Sequence, residues 1–244
     1  IKCPAKPSKT VRTVRPVITI FKTVSNSNPA YKLGYRTTIR LQVQFNPSAK
    51  GGGPKNLKAG ANVFAIYGHA KTGKGTTMPS AYQYTGTGGT TFGGVNPSLL
   101  RVLSSKSPQL AHDSWVTVGI TDGDGQKKLS MLENGDGKTG FIAWGKSSKQ
   151  SLKVTDGSLY TTPANGCKAH ICTLAQLTLM SPHELTATLN LKGRTGDSNG
   201  NGWAGSVKFT HNTPCAKSKP PPPPTAIKCP AKPSKTVRTV RPVI

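Results

Sequence analysis

The chain has 244 residues, with 33 lysines and arginines against 8 acids, a formal net charge of +25, 27 glycines, 20 prolines and only 6% aromatic residues. No apolar run approaches the roughly 20 residues that cross a bilayer as a helix, and the glycine and proline density predicts turns and short strands. The charge calls for a polyanionic neighbour, but no basic helix, zinc-finger spacing or aromatic-rich RNA motif is present to read bases, which argues against nucleic acid.

Residues 1–18, IKCPAKPSKTVRTVRPVI, recur without a substitution at 227–244. The period is 226 residues, so the chain reads as one full unit plus the opening of the next, a window on a tandem array. An engineered overlap, a circularly read gene or an ambiguous register among identical units gives the same duplication. The first residue is not Met and no signal peptide precedes the repeat, as expected of a mature or internal fragment. One unit is long enough to bury a real core.

Residues 11–24 alternate well enough to form a strand. Pro4 and Pro7 ahead of it and Pro16 within it remove amide donors, which suits an edge or terminal strand. In TIRLQVQF, Ile39, Leu41, Val43 and Phe45 point one way and Arg40, Gln42 and Gln44 the other. The Gly/Pro-rich stretch at 46–60 is a long loop or a boundary between a first β layer in residues 1–50 and a main sandwich in 51–215. A strand at 62–67 follows.

GHAKTGKGTT, from Gly68, imitates a phosphate-binding loop with Gly73 and Lys74 in place, but Gly75 stands where the magnesium-binding hydroxyl belongs. A solvated hairpin loop is expected instead. NPSLLRVLSS, at 96–105, is the one stretch suited to a short helix. His112, Asp113 and Ser114 spell a triad, yet consecutive strand residues face opposite ways and cannot assemble one. A strand is expected at 115–121.

TDGDG offers Asp122 and Asp124, and ENGDG offers Glu133, Asn134 and Asp136, all hard oxygen ligands of the kind calcium prefers. The spacing is not that of an EF-hand, and Asp-Gly and Asn-Gly pairs are also common hairpin turns. Turns are the expected reading, with no cofactor and calcium as the rival. Further strands are expected at 141–144, 172–180, 184–191 and 203–209. Trp115, Trp144 and Trp203 could line a sugar-binding face, but at strand spacing they read as core.

Five cysteines reduce to four per period, because Cys229 is the next unit's copy of Cys3. An even count in a basic, turn-rich chain reads as two disulfides made in an oxidising compartment. CKAHIC makes Cys167 to Cys172 the local bridge and leaves Cys3 to tie the unit's ends together with Cys215. Zinc on Cys167, His170 and Cys172 lacks a fourth ligand. Bridging Cys215 to Cys229 requires folding back over Pro220, Pro221, Pro222, Pro223 and Pro224, which as polyproline II extend about 15 Å.

All eight acids lie between Asp113 and Asp197, while the duplicated tail supplies Lys228, Lys232, Lys235, Arg238 and Arg241, leaving +20 per period. About nine strands without a long helix predict an all-β, antiparallel sandwich of jelly-roll or immunoglobulin-like type, disulfide-stapled and repeated every 226 residues. Residues 216–226 form a stiff linker, and 227–244 open the next repeat. Asn46 and Asn96 precede prolines and Asn165 sits in NGC, so N-linked sugar has poor support.

VFAIYG, PSAYQY, FGGVNPSLL, DSWVTVGITDGDG and LTATLNLKGRTGDSNGNGW occur in that order over about 150 residues. They resemble a family of uncharacterised secreted β domains of algae and other aquatic protists. The resemblance implies an extracellular location and a β fold, with no catalytic role; the lysine excess departs from the family and puts any shared calcium binding in doubt. CAKSKPPPPPTAIKCPAKPSK is similar to hydroxyproline-rich glycoproteins of plant and algal walls, which implies hydroxylation and arabinosylation at Pro220 to Pro224. The expectation is a structural, non-enzymatic unit of an extracellular fibre, partnered by copies of itself and by covalent glycans. The alternative is a secreted module whose lysine-rich face binds acidic polysaccharide or mineral, with no nucleic acid and no membrane insertion.

Overall fold

The computed structural model describes residues 14–24, 36–45, 61–69, 75–133, 139–164, 166–167, 171–180, 183–195 and 201–212. The chain clusters into a unit Ile1–Pro214 and a unit Cys215–Ile244, the latter outside the described residues. The proline-rich linker, the duplicated tail, and Cys3, Cys215 and Cys229 also lie outside the described residues.

Eleven strands occur among the described residues: β1 (Val14–Val24), β2 (Arg36–Phe45), β3 (Asn62–Gly68), β4 (Thr76–Met78), β5 (Trp115–Val116), β6 (Leu129–Glu133), β7 (Leu152–Val154), β8 (Gly157–Thr161), β9 (Ile171–Met180), β10 (Glu184–Arg194) and β11 (Gly202–Asn212). Two short helices, α1 (Pro97–Leu103) and α2 (Phe141–Lys146), and a 3-10 turn at Pro108–His112 complete the set. One sheet has the order β1-β2-β9-β5. In the other, seven-stranded sheet, β11 pairs along the whole of β10, so β3 and β4 must share its opposite edge. They do so end to end, β3 leading on to β8 and β6, and β4 to β7. Every strand pairing is antiparallel, giving the expected all-β sandwich.

Period-two alternation decides which face each long strand buries. Ile39, Leu41, Val43 and Phe45 of β2 meet Leu185, Ala187, Leu189 and Leu191 of β10 and Val207 and Phe209 of β11 in one core. β1 and β2 come from the segment expected as a first β layer, yet they share a sheet with β9 and β5, and β2 contributes to that same core. β1 is an edge strand, with Pro16 opposite Val43.

The outer face of the four-stranded sheet is covered by loops and by a second apolar cluster of Val95, Leu110 and Trp115, with Tyr84, Leu100 and Leu103 packed on it. Asn96 caps α1 by accepting from the Ser98 amide at 2.8 Å, and Pro97 opens the helix.

Two expected strands are corrected. Residues 141–144 are helical, because Phe141 and Trp144 sit at the i, i+3 spacing of one helix face, both fully buried, while Ile142 is exposed. The carboxylate of Glu133 holds that helix start, accepting from the Phe141 amide at 2.7 Å and from Ile142 at 3.4 Å. The strand at 115–121 ends after Val116, since Gly119 adopts φ +81° with its Cα against Cys167. There a Cβ would lie 2.5 Å from the Cys167 Cβ, so only glycine fits.

Candidate functional site: an aromatic groove and an open sheet edge

The residues singled out by motif are mostly spent on holding loops. The side chains of His112, Asp113 and Ser114 bond to different partners. His112 Nδ1 is hydrogen-bonded to Thr38 Oγ1 at 2.8 Å, and Ser114 Oγ accepts from the Thr178 amide at 2.9 Å. The buried Asp113 carboxylate accepts from the Tyr84 and Thr90 amides at 2.8 and 2.7 Å, tying the 84–90 loop to the sheet. Burial, only partly offset by these amides and that of Ser114, pushes the Asp113 carboxyl up to about 6.

The oxygen ligands considered for calcium have similar duties. Asp124, at φ +50°, accepts from the Lys128 and Leu129 amides at 2.7 and 3.0 Å and so closes its own turn. Asp122 lines a depression of 260 Å³ beside Asp124, Gln126 and Lys128. Asp136 and Asn134 lie outside the described residues, and among the described residues no group of three or more His, Cys, Asp or Glu side chains is placed to hold a metal. Gly73 and Lys74 of the loop after Gly68 are outside them too, but that loop joins β3 to another strand, β4, not to the helix a phosphate-binding loop needs.

Cys167 and Cys172 are both buried as thiols and are not joined in a disulfide. Their side chains are hydrogen-bonded, and burial, with Cys167 alongside, pushes the Cys172 thiol well above its ordinary range. His170 lies outside the described residues. The three tryptophans are core: Trp144 Nε1 donates to Pro79 O at 3.0 Å, Trp203 Nε1 to the Asn62 and Arg194 carbonyls at 3.1 Å, and Trp115 is buried within the second cluster. Arg36 and Arg40 instead lie over the rings of Tyr82 and Trp115, at 4.4 and 5.9 Å.

What no motif announced is on the outer face of the seven-stranded sheet. Ile66, Leu159 and Leu191 point inward in one cross-strand row, so the next row, Ser130, Tyr160, Ala65 and Lys192, lies on the outer face. A further outer row places Leu132, Ser158 and Tyr67 side by side. β3 is bulged where Lys192 pairs with Ala65 but Gly193 with Val63, leaving Phe64 as the extra residue. Phe64, Tyr67, Leu132 and Tyr160 thereby line one groove of 390 Å³, with His69, Asp156, Ser158 and Lys192 among its polar members. Leu132 is 54% exposed.

The same outer face is basic. Lys208, Thr188, Thr77 and Lys153 form one cross-strand row, and Lys192 and Arg194 follow each other on β10, all four cations exposed. No helix among the described residues is long and apolar enough to cross a membrane. Comparison with protein-family models, curated proteins and solved structures found no match for the chain.

Proposed function

We propose that the chain is a structural repeat unit of an extracellular, glycosylated fibre or surface appendage, its units joined by the proline-rich linker and by exchanged strands. No catalytic residues are assigned. The supporting observation is the coincidence of two facts. β1 is the edge strand of its sheet, and residues 240–244 repeat the sequence of its first five residues.

Val14, Arg15, Pro16, Val17 and Ile18 pair with Phe45, Gln44, Val43, Gln42 and Leu41. An identical segment has the same backbone register on offer. In an array, residues 240–244 open the first strand of the following unit, and the same sequence fits β2 of the unit before it. Exchange by one unit locks neighbours without any new contact surface and sets a fixed rise and twist. An oxidising, extracellular setting accords with the expected Cys167–Cys172 and Cys3–Cys215 bridges and with the two resemblances.

The test compares chains ending at residues 226 and 244. The longer chain should melt higher and associate, with amides of 240–244 slow to exchange hydrogen. Equal melting temperatures and fast exchange along the tail would reduce the array to beads on a string. Intact mass of native material tests the other half: multiples of the unit with pentose-spaced heterogeneity are expected, and one sharp peak at 25.7 kDa contradicts both array and glycan.

The basic outer face of the seven-stranded sheet favours a second reading, a secreted module for acidic polysaccharide. Salt separates the two, because exposed charge pairs are screened beyond about 8 Å at physiological ionic strength whereas strand pairing is not.

A further inference from the structure

The geometry points to the Phe64–Tyr67–Tyr160 groove as a binding site for an anionic pyranose glycan, its rings lying on the aromatic side chains and its acid group meeting Lys192. This rests on the acidic-polysaccharide reading and is independent of strand exchange.

Three observations carry it. First, the outer face of an antiparallel sheet ordinarily alternates polar residues outward, yet here Phe64, Tyr67, Leu132 and Tyr160 from three strands converge on one groove. All four are partly or largely exposed. An apolar, water-facing ring surface suits the C–H face of a pyranose, while tyrosine hydroxyls supply the polar end that a sugar hydroxyl needs. Second, the volume of 390 Å³ falls within the roughly 300–1,000 Å³ of small-ligand sites, whose lining is mainly apolar with a few placed polar groups.

Third, the charges are ordered along the groove. Lys192 pairs with Ala65 at the middle of β3, and Arg194 follows it on the same face, opposite Asn62 at the start of the strand. Asp156 adjoins Gly157, which pairs with Gly68 at the other end. Three residues of strand separate Ala65 from Gly68, about 10 Å. An acid group therefore belongs at the Lys192 end, and sugar hydroxyls donate to Asp156 at the other, with Ser158 and His69 alongside. The exposed Lys153 and Lys208 on the same sheet raise the local concentration of an anionic chain.

The experiment is calorimetric titration of the full chain with three oligosaccharides: an oligogalacturonate, a sulfated galactan fragment and a neutral galactan fragment. The wild-type chain should bind at least one of the first two in preference to the third. Tyr160→Ala and Tyr67→Ala should each weaken that binding at least tenfold with unchanged circular dichroism. Lys192→Gln, an exposed change that leaves the fold alone, should weaken only the anionic sugars and reduce the salt dependence by about one charge. Comparing carboxylated with sulfated sugar tells which acid group is read. Anionic binding that survives all three variants would leave the polysaccharide reading intact on the surface lysines and sink the groove. No binding of any sugar would sink both. Preferential binding of the neutral sugar, indifferent to Lys192→Gln, would overturn the assignment of the acid group.

Discussion

Replacing Asp113 by alanine removes the acceptor for the Tyr84 and Thr90 amides at a residue that is 1% exposed, while the Ser114 amide keeps the Tyr82 carbonyl. Each orphaned buried donor costs about 1–3 kcal/mol, and relaxation of the 84–90 loop toward water recovers part of that, so a loss of about 3 kcal/mol is expected. Ionisation makes the loss depend on pH. The carboxyl titrates at about 6 in the fold and near 3.9 in the unfolded chain. A raised carboxyl favours the fold in its protonated form: its contribution is complete below the unfolded value and is lost as pH rises through about 6. Between pH 5 and 7.5 the wild type should give up about 1 kcal/mol on this account, which the alanine variant cannot. Denaturant unfolding of both proteins at the two pH values reads the difference directly, and His183, whose opposite shift is common to both, cancels. A variant as stable as the wild type, or a gap that stays the same at pH 5 and pH 7.5, would refute the reasoning.

Gly119→Ala meets both φ +81° and the Cys167 Cβ, and should cost about 2 kcal/mol or more, read as a lower denaturant midpoint; a neutral result would mean the loop re-routes. Glu133→Ala uncaps α2 and should cost about 1 kcal/mol with a change in the near-ultraviolet signal of Trp144, while Glu133→Gln keeps one acceptor oxygen and should lose less. His183 is lowered by burial and by His211, whose ring is 5.5 Å away, so its stabilisation is present above pH 6.5 and fades as pH falls through its folded value. His183→Gln should flatten that acid limb, and an unchanged limb would discount the pair. Non-reducing peptide mapping of native material should find Cys167 joined to Cys172, and alkylation of both in denaturant without reductant would show that they remain the buried thiols of this structure.

The long strands were legible because alternation and burial are the same physical fact there. In ELTATLNL, Leu185, Ala187, Leu189 and Leu191 had to face a core whatever their partners were. Pro16 likewise restricted its strand to an edge before any neighbour was known. The short strands β4, β6, β7 and β8 run three to five residues, too few for a period to register, and pairing creates them: β4 on β10, β7 on β4, β8 on β3 and β6 on β8. Phe141 and Trp144, three residues apart, suit one helix face, but a single pair is too little for a period to register, and the Glu133 carboxylate that holds the helix start comes from eight residues earlier.

Function divides along the same line. Composition, cysteine parity, the 226-residue period and the proline run belong to the chain as written, since charge and repetition need no geometry. The groove belongs to the tertiary structure alone. Phe64, Leu132, Tyr160 and Lys192 are far apart in sequence and carry no motif. Only the register of β6, β8, β3 and β10, with the bulge that leaves Phe64 unpaired, brings them to one face, because cross-strand neighbours are set by hydrogen bonds between segments that cannot be read from either segment by itself.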